Sequence, residues 1–200
     1  MAATAAPAPP DLLRRAARLQ ILTVVWMVIE ALVTLLAAWT AQSPALFGFG
    51  GDSAIELTSA VMVLWRFRTP SDSAKAEKLA ARVAGALLFL LAAFVLVTSG
   101  FSLLGHREPR PSIIGIVVLA VAAAGMPWLA SQKRELATQL ASASLRADAA
   151  ESALCAYLSL IALAGLLANA ILHTPWADPI AALALVPFIV KEGREVFHGS

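Results

Sequence analysis

Residues 83–105, VAGALLFLLAAFVLVTSGFSLLG, and residues 112–132, SIIGIVVLAVAAAGMPWLASQ, contain no charged side chain. A helix that crosses hydrocarbon needs about 20 mostly apolar residues, so each stretch is long enough by itself. The whole chain shares this character. Hydrophobic residues make up 60% of its 200 positions and charged residues 14%, with a mean hydropathy of +0.78. A soluble domain runs about 45–50% apolar and about 25% charged, and one of 20.9 kDa could not hide so much apolar surface from water. Soluble and disordered classes are excluded.

Working outward from these two stretches, four more apolar segments occupy residues 19–41, 45–65, 149–172 and 176–190. No β-barrel alternation is present, and in lipid only helices otherwise satisfy the backbone. The expected fold is an all-α membrane protein of six transmembrane helices. The sixth segment is the shortest and contains Pro187; Lys191 and Arg194 just beyond it can snorkel to the interface. Residues 1–11 have no basic n-region and no apolar core, so they are expected as a disordered tail and not as a signal peptide. Residues 12–197 then form one transmembrane domain, with no C-terminal cytoplasmic domain expected.

Thirteen of the fifteen Lys and Arg residues fall on one side of these spans. They are Arg14, Arg15 and Arg18 before the first, and Arg66, Arg68, Lys75, Lys78 and Arg82 between the second and third. Lys133, Arg134 and Arg146 lie between the fourth and fifth, with Lys191 and Arg194 after the sixth. Cytoplasmic loops are the ones enriched in Lys and Arg, so both termini are expected in the cytoplasm. This asymmetry accounts for the pI near 9.0, and nucleic acid is not needed as a partner. Trp39 and Trp176 fall at the expected outer ends, and Trp65 and Trp128 at the inner ends, as interfacial anchors do. The Ala-rich composition fits a bacterial inner (plasma) membrane.

Acids do not belong in such segments: a carboxylate in hydrocarbon costs about 2.5–3.5 kcal/mol on insertion scales. Yet Glu30, Asp52, Glu56, Asp148 and Glu151 lie in or near them, and none has a Lys or Arg expected at its own depth. Asp52 and Glu56 are four residues apart on one face of the second helix; Glu151 and Cys155 are four apart on the fifth, with Asp148 one turn earlier. The two helices run antiparallel. If they touch, Asp52 meets Cys155 in an outer layer and Glu56 meets Glu151 in an inner one. Such oxygen and sulfur donors suit a divalent transition metal, and protons would compete for the same carboxylates.

Each residue also has a plainer role. Asp52 and Glu56 could be protonated and bonded to Ser or Thr. Cys155 is either a small apolar core residue or a thiolate ligand. Asp148 is a ligand, an acid at the inner mouth, or a helix N-terminal acid, and Glu30 is a proton site or a structural acceptor. Asn169 is expected as interhelical glue. His106, His173 and His198 lie outside the spans and are expected to be solvated. Gly48, Gly50 and Gly51 allow either close helix approach or a local break beside Asp52, and GFGGD lacks the Lys-Ser/Thr of a phosphate loop.

Three stretches carry a family resemblance. GFGGDSAIELTSAVMVLWRFR (48–68) resembles the second helix of cation diffusion facilitators. SLRADAAESALCAYLSLIALAGLLANA (144–170) resembles their fifth helix, and WADPIAALALVPFIVKEGREVF (176–197) their sixth. The resemblance implies a proton-coupled exporter of divalent transition metals, commonly zinc, that works as a homodimer by alternating access. It implies metal ligation by Asp52, Glu56, Glu151 and Cys155. The family's usual fifth-helix His and Asp are replaced here by Glu and Cys, and Glu stands for the second Asp of helix two. A thiolate keeps the site soft and disfavours Mg²⁺ or Ca²⁺, so Zn²⁺ is the expected cargo, ahead of iron, cobalt, cadmium or manganese. The expected partners are the metal ion, protons, the lipid bilayer and a second copy of the chain. The alternative is a non-transporting metal-binding membrane subunit or sensor. An intramembrane enzyme such as a lipid transferase would need basic residues beside the acids to hold phosphate, so no enzyme is expected.

Overall fold

The computed structural model describes residues 10–66, 73–106, 108–140 and 143–198. Residues 1–9, Arg68 and Arg107 lie outside the described residues, as do the side chains of Trp65, Arg66, Lys75, Lys78 and His198. Among the described residues there are six helices and no strand: α1 (Pro10–Ala41), α2 (Pro44–Arg66), α3 (Ser73–Leu103), α4 (Ile113–Gln139), α5 (Ala143–Leu172) and α6 (Ala177–His198).

Each helix contains one expected apolar segment and departs from it in a systematic way. At the end where α1, α3 and α5 finish, helix and segment boundaries agree within two residues. At the opposite, Lys- and Arg-rich end, α1, α3, α4, α5 and α6 each run six to ten residues past the segment. The apolar stretch marks what hydrocarbon would cover; the helix itself continues while backbone bonds and amphipathic packing support it.

Local chemistry sets the other ends. Ser43 accepts from the Leu46 N–H through its Oγ at 3.1 Å, and Ser112, in extended backbone, accepts from Gly115 N–H at 3.1 Å, so both act as N-caps. After α1 and α5 the chain turns through left-handed residues Gln42 and His173, each at φ 52°. Pro187 lies inside α6 and Pro127 inside α4, and both helices continue through them.

Helix α2 is the innermost, touching α1, α3, α5 and α6. The most extensive contacts are α4 on α5 and α3 on α6. Phe49 and Leu46 of α2 are fully buried, in a core with Leu119 of α4, Leu158 of α5 and Leu185 of α6. The glycines before Asp52 serve close approach, not a break: a Cβ on Gly51 would stand 2.6 Å from Leu91 Cδ1 of α3. Asp178 in the first turn of α6 accepts from the Ser43 hydroxyl and from Ala45 N–H at 3.2 Å, which fastens the start of α6 to the start of α2. Asn169 donates to the Pro109 carbonyl at 2.9 Å and ties α5 to the α3–α4 connection.

The outer faces are apolar. Leu36, Leu90, Ile113, Tyr157 and Leu160 are all more than half exposed, which suits lipid as the solvent and water poorly. Helices α1, α3, α4 and α5 are long and apolar enough to cross a membrane. Among the described residues, α2 and α6 do not join them; these are the helices that carry Asp52, Glu56, Asp178 and Glu192.

Candidate metal centre

Most of the buried polar residues lie along the interior faces of α1, α2, α5 and α6, with Ser99 on α3 and Lys133 on α4 besides. Adjacent positions on α2 diverge by about a quarter turn, which sends Ser53 and Asp52 to different neighbours. Ser53 faces α1 and donates to Glu30 Oε1 at 2.8 Å. Glu30, 1% exposed, also accepts from Trp26 Nε1 at 2.6 Å and lies 3.7 Å from the Cys155 Sγ of α5. Of its two expected roles, the geometry is that of a structural acceptor shared by three helices.

Asp52 faces the other way. One oxygen each from Asp52, Glu56 and Glu192 lie within 4.8 Å of one another. All three side chains are at most 9% exposed, and Asp52 Oδ1, Glu56 Oε1 and Glu192 Oε2 are buried with no hydrogen-bond partner. Unsatisfied polar atoms at this depth are costly, and three in one place need shared protons or a cation.

Glu56 also faces α5. With Glu151, Cys155, Asp148, Ser152 and Lys133 it lines a chamber of about 20 Å³, room for about one water-sized sphere. Cys155 is buried at 1%, whereas Glu151 is exposed and stands at the mouth. Thr23, Met27 and Met126 complete the walls.

Glu56, Glu151 and Cys155 share one chamber; the hydrogen-bond partner of Cys155 is Glu30, and Asp52 groups with Glu56 and with Glu192 of α6. Asp148 was expected to lack a cation at its depth; instead its Oδ1 accepts from Lys133 Nζ at 2.9 Å, and Lys133 also donates to Ser152 Oγ at 2.8 Å. Lys133 is 1% exposed. It is no loop charge, because α4 runs on to Gln139 and carries it inward on the face that also buries Met126, Leu129 and Ala130.

Sequence reasoning passed over Lys133 and Glu192 for one reason: both lie beyond the apolar windows, where charges are taken as solvated. Periodicity carried the missing signal. On α6 the buried positions Ala181, Ala182, Leu185 and Ile189 extend by one more three-residue step to Glu192. On α4 the step from Ala130 leads to Lys133 in the same way.

A helical, lipid-facing bundle with acids converging on its innermost helix defines a class of proteins that handle cations inside the membrane. Residues 20–200 match the cation efflux transmembrane domain, and the chain belongs to the cation efflux family. With its four long apolar helices, it is a multi-pass membrane protein. It is 24% identical over 184 residues to the manganese efflux system protein MneS of Bacillus subtilis (strain 168). The alignment covers 88% of this chain and 63% of that protein, so the chain spans less than two thirds of its relative's length.

Proposed function

We propose that the chain exports a divalent transition metal from the cytoplasm by alternating access. The ion would be held between α2 and α5 by Asp52, Glu56, Glu151 and Cys155, and released as protons from the other side take its place. The single observation that carries this is the buried acid pair of α2, whose orphaned oxygens sit beside a chamber that opens past Glu151. Membership of the cation efflux family supports the same conclusion.

In this scheme all six helices span the membrane and both termini are cytoplasmic, so the Lys- and Arg-rich helix overhangs face inward. The membrane is the plasma membrane, and a second copy pairs through membrane helices. The chemistry is ligand exchange: metal–ligand bonds break as the carboxylates and the thiolate take up protons. Cys155 provides softness for zinc, while the carboxylates suit manganese equally, the ion in the name of the Bacillus subtilis relative. Asp148, held by Lys133, is a guide at the entrance and not a ligand.

The test is uptake of Zn²⁺ and Mn²⁺ into proteoliposomes by the wild type and by Glu151→Ala. Uptake that follows an opposing proton gradient and is lost in the variant supports the proposal. Metal binding without uptake would favour a metal-binding membrane subunit that moves no ion.

A further inference from the structure

Helix α6 holds a buried acid that the α2–α5 site does not use. Glu192 is 9% exposed, and its Oε2 has no hydrogen-bond partner. The backbone beside it is packed closely: a Cβ on the next residue, Gly193, would stand 3.3 Å from Leu88 Cβ of α3. Lys191 and Glu195, its neighbours on the helix, are 74% and 68% exposed and pair with each other at 3.7 Å. Glu192 alone turns inward, on the stripe that starts at Ala181.

We propose that Glu192 is a third-helix ligand, forming with Asp52 and Glu56 an all-carboxylate station for an oxygen-preferring divalent cation such as Mn²⁺. The inference rests on the exporter assignment and deepens it, because α2's acid pair is then shared between α6 on one side and α5 on the other. Two observations converge on it. Each residue offers an oxygen, and the three lie within 4.8 Å of one another. At a metal–oxygen distance of about 2.1 Å, three ligand atoms on one ion stand about 3.0–3.6 Å apart, so closure asks for a shift of about an ångström, which the glutamate side chains can supply by rotation. And Asp52, a member of this group, is 1% exposed and leaves a buried Oδ1 without a hydrogen-bond partner.

The donor set decides the ion. Carboxylate oxygens suit Mg²⁺, Ca²⁺ and Mn²⁺, whereas thiolate selects softer ions. An ion on the Glu192 side meets oxygen only, and one that moves towards α5 reaches the sulfur of Cys155. The two faces of α2 thus differ in softness, and Glu192 sets the preference of the harder one.

Binding of Mn²⁺ to the purified full-length chain in detergent, followed by the loss of the free-Mn²⁺ electron paramagnetic resonance signal, tests this apart from transport. Glu192→Gln is expected to weaken Mn²⁺ by at least about tenfold, since even an outer-shell partner is worth 10–100-fold. Glu195→Gln is expected to leave Mn²⁺ affinity unchanged, whereas Cys155→Ser is expected to weaken Cd²⁺. Circular dichroism establishes that each variant folds. Should Glu192→Gln fail to fold, Glu192→Asp keeps the charge and withdraws it by one methylene, and weaker Mn²⁺ binding in that folded variant is the expected result. Wild-type Mn²⁺ affinity in a folded Glu192 variant overturns the proposal, as does a wild type that binds no Mn²⁺. Glu192-dependent binding without any vesicle uptake supports the ligand assignment while removing export.

Discussion

Replacing Lys133 by Met tests whether a buried cation holds the α5 mouth in order. The ammonium is 1% exposed and bonds Asp148 Oδ1 at 2.9 Å and Ser152 Oγ at 2.8 Å. Removing one partner of a buried ion pair costs about 3–5 kcal/mol, because the other charge is left uncompensated. Asp148 is 22% exposed and retains some water, so the expected loss is smaller, about 2 kcal/mol, a factor of about 30 in the folded-to-unfolded ratio. The charge of Lys133 also reaches Glu151, so its removal leaves the chamber one unit more negative. Saturating Mn²⁺ should therefore stabilise the Met variant more than the wild type. Asp148→Asn placed on top of Lys133→Met removes the stranded charge and should recover most of the loss. Denaturant unfolding of the four proteins in detergent, with and without metal, measures the cycle. Wild-type stability in the Met variant, or simple additivity in the double variant, would refute the assignment of Lys133 as the counter-charge of Asp148.

Two more outcomes follow from the packing. Glu30→Gln leaves one oxygen where Trp26, Ser53 and Cys155 now donate to two, so one buried donor meets an amide NH₂. The expected cost is about 1–3 kcal/mol, with a shift in the tryptophan emission spectrum that Gln132→Glu, at the surface, does not produce. At Gly165 an added Cβ would land on Ala181 and stand 3.2 Å from the Ala177 carbonyl oxygen, so Gly165→Ala should cost about 1–3 kcal/mol by overpacking. Ala181→Gly should restore the melting temperature; a Gly165→Ala protein that melts like wild type would mean that α5 and α6 are not so close.

The helices were legible because hydrocarbon imposes one rule on every residue of a span. Residues 83–105 and 112–132 contain no charge, and α3 and α4 lie over them. The overhangs were not legible, since hydropathy ends where lipid would end and the backbone does not. At the site, the i,i+4 spacing of Asp52 with Glu56 placed both acids on the interior of α2. Spacing does not fix rotation between helices, so the grouping of Asp52 with Glu192 of α6 and the bond of Cys155 to Glu30 are not legible in it. The cation beside Asp148 escaped notice because Lys133 was assigned to water by its neighbours Arg134 and Glu135, both exposed. Only the buried stripe of α4 separates it from them.

The central claim is that the acids of α2 carry a metal ion across the membrane. Metal uptake into sealed proteoliposomes, with and without an opposing proton gradient, tests it most directly when wild type is compared with Asp52→Ala. The expected result is uptake that rises with the gradient in the wild type and falls to the protein-free level in the variant, with helix content and melting unchanged. Equal uptake by both proteins would contradict the claim.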